Sequence, residues 1–250
     1  MKRKLVAALA CRNKSTRLFG KPMQYLNIDA RISVLEHIID LIQTLPEVNE
    51  VILGIAEGDS NLSFIETANK KNVQYIIGKE EDVLGRLLQC ADATGATDIF
   101  RVTSESPFIF FNAVREGWEK HLAADCDLTK LDYVPDGSGF EIIKTTALRE
   151  SHKSTDDKEH SEHCSLYIRE NKDKFKVIDI EAPDNIRRMD IRLTIDNPED
   201  LVLCRAVYEY FKSDAPRIPL DKIIAYLDEK PELTGLVAPY IEVGLSTMYK

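Results

Sequence analysis

The sequence lacks long apolar runs and paired cysteines. No run reaches the roughly 18 residues that a membrane-spanning helix requires, and Leu5–Ala10 is too short for the core of a signal peptide. The 5 cysteines are widely spaced and form no CxxC motif. This spacing is typical of reduced thiols rather than of a zinc or redox site. We therefore expect a soluble, cytoplasmic protein that does not bind membranes.

A surplus of positive charge is also missing. The 250 residues include 33 Lys and Arg against 42 Asp and Glu, for a net charge of -9. Proteins that bind nucleic acid without sequence preference usually gain affinity from clustered Lys and Arg, so this composition argues against a nucleic-acid partner. Several basic residues concentrate between Lys2 and Lys21. We expect an anionic small molecule to bind in that segment.

The hydrophobic pattern predicts one α/β domain over residues 1–250. Short apolar runs alternate with segments of helical periodicity up to Thr103, which favours a mainly parallel sheet with helices on both faces. The predicted strands are residues 4–11, 50–55, 73–77 and 98–103, and the predicted helices are residues 32–45, 61–71 and 81–94. No linker rich in Gly, Ser or Pro divides the chain.

The second half of the chain is less regular. The polar run 151–163 is expected to form an exposed connection or the mouth of a site. Strands are predicted at 175–180 and 191–195, and helices at 198–211 and 220–227. Residues from Pro231 onward are expected to form a tail or an oligomer contact, and His121 is expected at the surface.

The segment 11–22 is the strongest candidate site. It follows the first predicted strand directly and carries two hydroxyl groups and four cations, Arg12, Lys14, Arg17 and Lys21. Ligands of open α/β sheets gather at the carboxyl ends of strands, where such cations balance the charge of a triphosphate. The alternative is a solvated basic loop. The P-loop spacing GxxxxGK[ST] and the dinucleotide fingerprint GxGxxG are both absent.

Four ordered segments resemble one enzyme family. They are residues 15–22 (STRLFGKP), 78–86 (GKEEDVLGR), 100–107 (FRVTSESP) and 192–201 (RLTIDNPEDL). Together they are similar to the cytidylyltransferases that make CMP-activated acidic sugars. The similarity is greatest to the SpsF-like branch of spore coat polysaccharide biosynthesis, which is related to CMP-Kdo synthetases and acylneuraminate cytidylyltransferases.

This resemblance implies a fold, a reaction and an assembly. The implied fold is a single-domain, Rossmann-like nucleotide-diphospho-sugar transferase fold with a mainly parallel mixed sheet flanked by helices. The implied reaction transfers CMP from CTP to a small anionic acceptor (a sugar acid, phosphonate or phosphate ester) and releases pyrophosphate. The implied assembly is a homodimer. The alternative is a catalytically silent, nucleotide-binding subunit of the same fold.

The resemblance also implies the residues of the nucleotide site. The implied nucleotide-binding residues are Ala10, Arg12, Asn13, Ser15, Arg17, Lys21 and Arg86. Lys21, Arg12 and Arg17 are the implied catalytic residues, because fixed cations stabilise the charge that builds on phosphate oxygens during attack at the α-phosphorus. For Lys21 the alternative is a structural lysine at the end of the loop.

Two carboxylates are implied ligands of Mg²⁺. Asp196 matches a metal ligand of related sugar-acid enzymes, and Glu105 stands where the family normally has Asp. Either carboxylate supplies the oxygen donors that Mg²⁺ prefers. The longer side chain of Glu105 is a departure from the family pattern, and so is the pair Asn13-Lys14, where relatives carry smaller residues. The alternative for Asp196 is a helix-capping role.

Three residues are implied to bind the acceptor: Glu141, His163 and Arg192. Glu141 resembles a carboxylate that faces the acceptor, and His163 follows Glu162 in a similar Glu-His pair. A lone histidine is also often structural or exposed. Arg192 is expected either to meet an acceptor carboxylate or phosphate, or to pair with Asp190.

Overall fold

A seven-stranded mixed sheet runs through the centre of the molecule. The computed structural model of the chain describes residues 2–154, 163–242 and 244. Its strands are β1 (Leu5–Cys11), β2 (Tyr25–Asn27), β3 (Ile32–Ser33), β4 (Glu50–Ala56), β5 (Gln74–Gly78), β6 (Asp98–Arg101), β7 (Leu128–Lys130), β8 (Glu141–Lys144) and β9 (Val177–Asp179). The large sheet has the order β5-β4-β1-β6-β8-β7-β9, and β2 pairs with β3 separately. Strands β5, β4, β1 and β6 are parallel, whereas β8 is antiparallel to β6 and β7.

Helices cover both faces of this sheet. They are α1 (Val34–Gln43), α2 (Leu62–Lys71), α3 (Val83–Thr94), α4 (Val114–Ala124), α5 (Thr145–Ser154), α6 (Leu166–Glu170), α7 (Pro198–Phe211), α8 (Leu220–Asp228) and α9 (Pro231–Val237). Local sequence sets several of their starts. Ser33 and Glu36 form a reciprocal capping box at the start of α1, with hydrogen bonds of 3.2 and 2.7 Å. At the start of α7, which begins at Pro198, the backbone N of Asn197 donates to Asp200 Oδ2 at 2.8 Å.

The central strand β1 shows why the strands are apolar. Leu5, Ala7 and Leu9 belong to one hydrophobic core, Val6 and Ala8 belong to a second, and all five are fully buried. Alternate side chains of a strand point to opposite faces, so a strand that is covered on both faces has apolar residues throughout. The predicted α/β class, with a mixed sheet flanked by helices, is confirmed.

The segment 191–195 is not a strand, so that prediction is wrong. It forms an isolated bridge between Asp136 and Arg192. Leu193 N donates to Asp136 O at 2.7 Å, and Ile195 N donates to Glu105 O at 3.1 Å. Leu193 and Ile195 are fully buried, which explains the strand-like alternation in the sequence. The partners of the segment are loops, and it joins the loop after β6 to the start of α7.

Two further expectations are corrected. The chain after Pro231 does not form a tail as far as it is described, because α9 packs against α7 and α8 and buries Val237. The oligomer contact stays a prediction. His121 is fully buried rather than exposed, and its ring nitrogens lie 2.8 Å from Thr129 Oγ1 and 3.1 Å from Asp98 Oδ1.

Parts of the second half were not predicted from the sequence. Strands β7 and β8 have three and four residues, and α5 extends into the polar run 151–163, where Ser151 is fully buried. Residues 155–162 of that run lie outside the described residues. All 5 cysteines are buried, and within the described chain none forms a disulfide. Among the described helices, none combines the length and apolar character needed to cross a membrane.

Candidate active site

Two adjoining cavities open at the carboxyl ends of β1 and β6. The basic cavity has a volume of about 780 Å³, and its lining includes three Glu side chains and six cations. These cations are Arg12, Lys14, Arg17, Lys21, Arg86 and Arg101. Its charge balance therefore suits a polyanion. Ligand sites of open α/β sheets are found at this edge of the sheet.

The mixed cavity has a volume of about 450 Å³ and is lined by both cations and carboxylates. Its carboxylates are Glu105, Asp132, Asp136, Glu141 and Asp196. Several charged residues line both cavities, and we call this shared group the seam: Arg12, Arg17, Lys21, Arg101 and Glu105. The seam is therefore the boundary at which the two cavities adjoin.

Most of the predicted nucleotide-binding residues line the basic cavity: Ala10, Arg12, Ser15, Arg17, Lys21 and Arg86. The loop that carries four of them closes on itself, because Gly20 N donates to Asn13 O at 2.8 Å. Gly20 has φ 62°, a left-handed conformation that favours glycine over residues with a side chain. This turn directs the next residue, Lys21, toward the seam.

Asn13 lines neither cavity. Its backbone N donates to Asn61 Oδ1 at 2.8 Å, and its side-chain amide donates to Ser60 O and to Ser63 Oγ. The side chain is buried. The structure therefore shows Asn13 anchoring the loop to the start of α2, with its side chain away from the site.

Asp196 holds two cations of the seam, Lys21 and Arg17, together with the neighbouring Arg192. Its Oδ1 accepts from Lys21 Nζ at 2.6 Å and from Arg17 Nη2 at 2.9 Å, and its Oδ2 accepts from Arg192 Nη2 at 2.6 Å. Burial acts to raise the pKa of this carboxyl, but the hydrogen bond and charge of Lys21, with Arg17 and Arg192, lower it on balance. Asp196 therefore remains ionised and fixes the end of the Lys21 side chain, which is only 13% exposed.

Glu105 lies on the same wall as Asp196, since Ile195 N bonds its carbonyl oxygen. The Glu105 carboxylate is 3.1 Å from Ser104 Oγ. Burial raises its pKa, the charge of Lys21 opposes that shift, and the charge of Asp196 adds to it. The two carboxylates thus face one cavity and repel each other. Among the described residues, no group of three or more His, Cys, Asp or Glu side chains is arranged to hold a metal ion.

Arg86 is a buried cation behind the basic cavity, with 1% of its surface exposed. Its Nη1 donates to Cys11 O at 3.1 Å and to Gly54 O at 3.0 Å, which are carbonyls at or near the ends of β1 and β4. Burial lowers its pKa. Arg86 therefore joins two neighbouring strands and adds positive charge beneath the cavity.

The predicted acceptor residue Glu141 lines the mixed cavity but is held by other side chains. Its Oε2 accepts from Arg101 Nη1 at 2.8 Å, and its Oε1 accepts from Arg169 Nη2 at 2.7 Å and from Ser165 Oγ. Burial acts to raise its pKa, but the charges of Arg101 and Arg169 lower it to about 2. Asp132 binds the other edge of Arg169. Sequence reasoning missed both arginines.

Arg192 lines the mixed cavity and is 2% exposed. It does not pair with Asp190, which binds Arg188 instead. Its guanidinium donates to Asp136, to Asp196 at 2.6 Å and to Asp200 at 2.9 Å. Burial alone would lower the pKa of Arg192, but these carboxylates raise it. Arg192 therefore joins the turn before β8 to the start of α7.

His163 lines the mixed cavity, as expected of an acceptor-binding residue, and its carbonyl oxygen accepts from Leu166 N at 2.7 Å. Its predicted partner Glu162 lies outside the described residues. The structure thus brings Glu141, His163 and Arg192 to one cavity. Two of these three residues are committed to internal ion pairs.

The cytidylyltransferase family model matches residues 6–228 of the chain. The spore coat polysaccharide biosynthesis protein SpsF of Bacillus subtilis is 27% identical over 227 residues, covering 90% of this chain and 94% of SpsF. Every predicted site residue falls within the matched range.

Solved structures share the fold. A cytidylyltransferase from Leptospira borgpetersenii superposes with a TM-score of 0.80 at 21% identity, covering 94% of this chain and 97% of that one. The CMP:2-keto-3-deoxy-manno-octonic acid synthetase complexed with CTP superposes with a TM-score of 0.61 at 15% identity, covering 83% of this chain and 99% of that one. These two superpositions show that the chain shares the arrangement of the sheet and its flanking helices with both structures.

Proposed function

The chain belongs to the cytidylyltransferase family, and from this premise we propose that it transfers CMP from CTP to a small anionic acceptor and releases pyrophosphate. Family membership confirms the resemblance drawn from the four sequence segments and the prediction of a CTP-dependent enzyme. The acceptor class is our proposal: a sugar acid, a phosphonate or a phosphate ester. The seam carries this proposal, because it joins a cavity suited to a polyanion to a second cavity of mixed charge.

The basic cavity is the proposed CTP site. Arg12, Arg17 and Lys21 supply positive charge to the phosphates, and the hydroxyl of Ser15 offers a directional hydrogen bond. Lys21 is held by Asp196 before any ligand binds. A cation that is fixed in advance stabilises developing charge without having to reorganise during the reaction.

The mixed cavity is the proposed acceptor site. An acceptor oxygen attacks the α-phosphorus of CTP at the seam. A new P–O bond forms as the bond between the α-phosphorus and the bridging oxygen breaks, and pyrophosphate leaves with that electron pair. The proton of an attacking hydroxyl passes to water. Lys21 and Arg17, which line both cavities, stabilise the charge that spreads over the phosphate oxygens.

Mg²⁺ is the proposed cofactor, and Glu105 and Asp196 are the residues that would hold it. The donor set fits, because Mg²⁺ is commonly bound by one or two carboxylates together with substrate phosphates. Burial is the main cause of the raised pKa of Glu105, the charge of Asp196 adds to it, and a divalent cation would relieve both effects. When bound, the ion supplies a Lewis acid for the phosphate oxygens.

A homodimer and a cytoplasmic location stay predictions. Light scattering of the purified protein tests the first, since a dimer has twice the chain mass of 28.4 kDa. A monomer at micromolar concentration would contradict it.

The proposal is tested by pyrophosphate release with Mg²⁺ and each of CTP, UTP, ATP and GTP. The acceptor panel contains sugar acids, phosphonates and phosphate esters, and calorimetry follows nucleotide binding in parallel. We expect release with CTP and one acceptor class. Tight CTP binding without release for any acceptor would favour the silent nucleotide-binding subunit, and absence of CTP binding would overturn the nucleotide assignment.

A further inference from the structure

Arg101 occupies a central position in the candidate site. It is the last residue of β6, and its side chain lines both cavities. Strand β6 lies between β1 and β8, in the middle of the large sheet. Arg101 is therefore carried by a rigid strand, whereas Arg12 and Arg17 are carried by a loop. Groups on strands are held more tightly than groups on loops.

One edge of the Arg101 guanidinium is fixed. Arg101 faces Glu141 directly across the antiparallel β6–β8 pair, and its Nη1 donates to Glu141 Oε2 at 2.8 Å. Glu141 is held in turn through its other oxygen by Arg169 and Ser165. Because Glu141 is buried and bound on both oxygens, it locks the orientation of Arg101.

The other edge of Arg101 is open. Its Nε and Nη2 have no hydrogen-bond partner among the residues that the structure describes. Arg17 and Lys21 are held by Asp196, whereas Arg101 is held by a different carboxylate, Glu141 on β8. An open guanidinium edge offers parallel N–H donors, the geometry that binds two oxygens of one phosphate.

We propose that Arg101 is a further catalytic residue, which binds the non-bridging oxygens of the α-phosphoryl group as it passes from CTP to the acceptor. This inference rests on the proposed function. The seam is where the two substrates meet, and Arg101 presents its open donors there. A fixed donor of this kind acts mainly on the transition state, in which charge builds on those oxygens.

The test compares Arg101→Gln and Arg101→Lys with the wild type. The matched control is Arg115→Gln, because Arg115 makes an exposed ion pair with Glu47 and lines neither cavity. We expect Arg101→Gln to lower kcat by about 100-fold or more, with Kd for CTP changed by no more than about threefold. Arg101→Lys should lower kcat by about tenfold or more, because lysine keeps the positive charge but lacks the parallel N–H donors of the guanidinium group.

A second measurement separates contact with phosphate from a structural role. Each diastereomer of CTPαS carries sulfur in place of one non-bridging oxygen of the α-phosphate. We expect the rate ratio of CTP to one diastereomer to shrink in Arg101→Gln, because the lost contact no longer distinguishes oxygen from sulfur. A structural role lowers the rates with CTP and both diastereomers alike, and that result overturns the proposal.

The outcomes distinguish this inference from the proposed function. A wild-type enzyme that turns over CTP, beside a folded Arg101→Gln variant with kcat within about threefold, overturns only the role of Arg101. A wild-type enzyme that releases no pyrophosphate with any acceptor overturns the proposed function, and the role of Arg101 with it. If thermal unfolding shows that Arg101→Gln is not folded, Arg101→Lys decides by the same criteria.

Discussion

Replacing Lys21 with Ala should separate catalysis from stability. Lys21 makes one of three hydrogen-bonded ion pairs on Asp196, and Arg17 and Arg192 remain when it is removed. The loss in unfolding free energy should therefore be about 1 kcal/mol, the upper range for a partly exposed pair. For a chain of this length, that loss lowers Tm by about 2–4 °C.

The effect on turnover should be much larger. Lys21 lies at the seam, and removing one fixed donor of transition-state charge typically costs about 100- to 1000-fold in kcat, or about 3–4 kcal/mol. The control is Lys222→Ala, because Lys222 pairs with Asp214 at 2.9 Å and lines neither cavity. Steady-state pyrophosphate release gives kcat, and thermal unfolding gives Tm. Parallel losses of folding and activity in Lys21→Ala, or unchanged kcat with intact folding, would refute a catalytic role for Lys21.

Three further perturbations test other parts of the account. Glu105→Asp should preserve or raise Mg²⁺-dependent turnover, since the resemblance predicts Asp at this position; lost turnover with CTP still bound in calorimetry would contradict this. Arg192→Met should lower the unfolding free energy by about 3–5 kcal/mol, because it leaves the buried Asp136 and Asp200 without their cation. A loss of unfolding free energy below about 1 kcal/mol, measured by urea unfolding, would show that the ion pairs of Arg192 do not hold the segment 191–195 in place. Burial lowers the pKa of His37 from 6.5 to about 4. Between about pH 6.5 and pH 4 the unfolded chain therefore binds more protons than the folded chain, and the unfolding free energy falls as the pH is lowered through this range. Between pH 7 and pH 5 the unfolding free energy of the wild type should fall by about 2 kcal/mol more than that of His37→Gln. Equal falls in the two proteins would refute the lowered pKa of His37.

The first half of the fold could be predicted because its physical signals are local. Strands such as β1 are buried on both faces, so they appear in the sequence as continuous apolar runs separated by helical periodicity. The end of β1 at Cys11 then placed the basic loop at the edge of the sheet where ligands bind. That boundary, together with the family resemblance, explains why six of the predicted residues line one cavity, and their role in nucleotide binding stays a prediction.

The remaining contacts depend on tertiary structure. Arg192 was expected to meet an acceptor or Asp190, but it pairs with Asp136, which is far away in the sequence. The anchoring role of Asn13 depends on the start of α2, which no local pattern links to the basic loop. Arg101 was overlooked although it lies in a matched segment, because its partner Glu141 is on β8, a four-residue strand that was not predicted.

The central claim is that bond cleavage in CTP occurs between the α- and β-phosphates and joins CMP to the acceptor. ³¹P NMR of a reaction containing CTP, Mg²⁺ and the best acceptor follows all phosphorus species at once. The account predicts a new resonance from the transferred CMP phosphorus, in equal molar amount to pyrophosphate, and a second shifted resonance from the acceptor phosphorus when the acceptor is a phosphonate or phosphate ester. CDP and inorganic phosphate, or free CMP without a CMP-linked product, would contradict it.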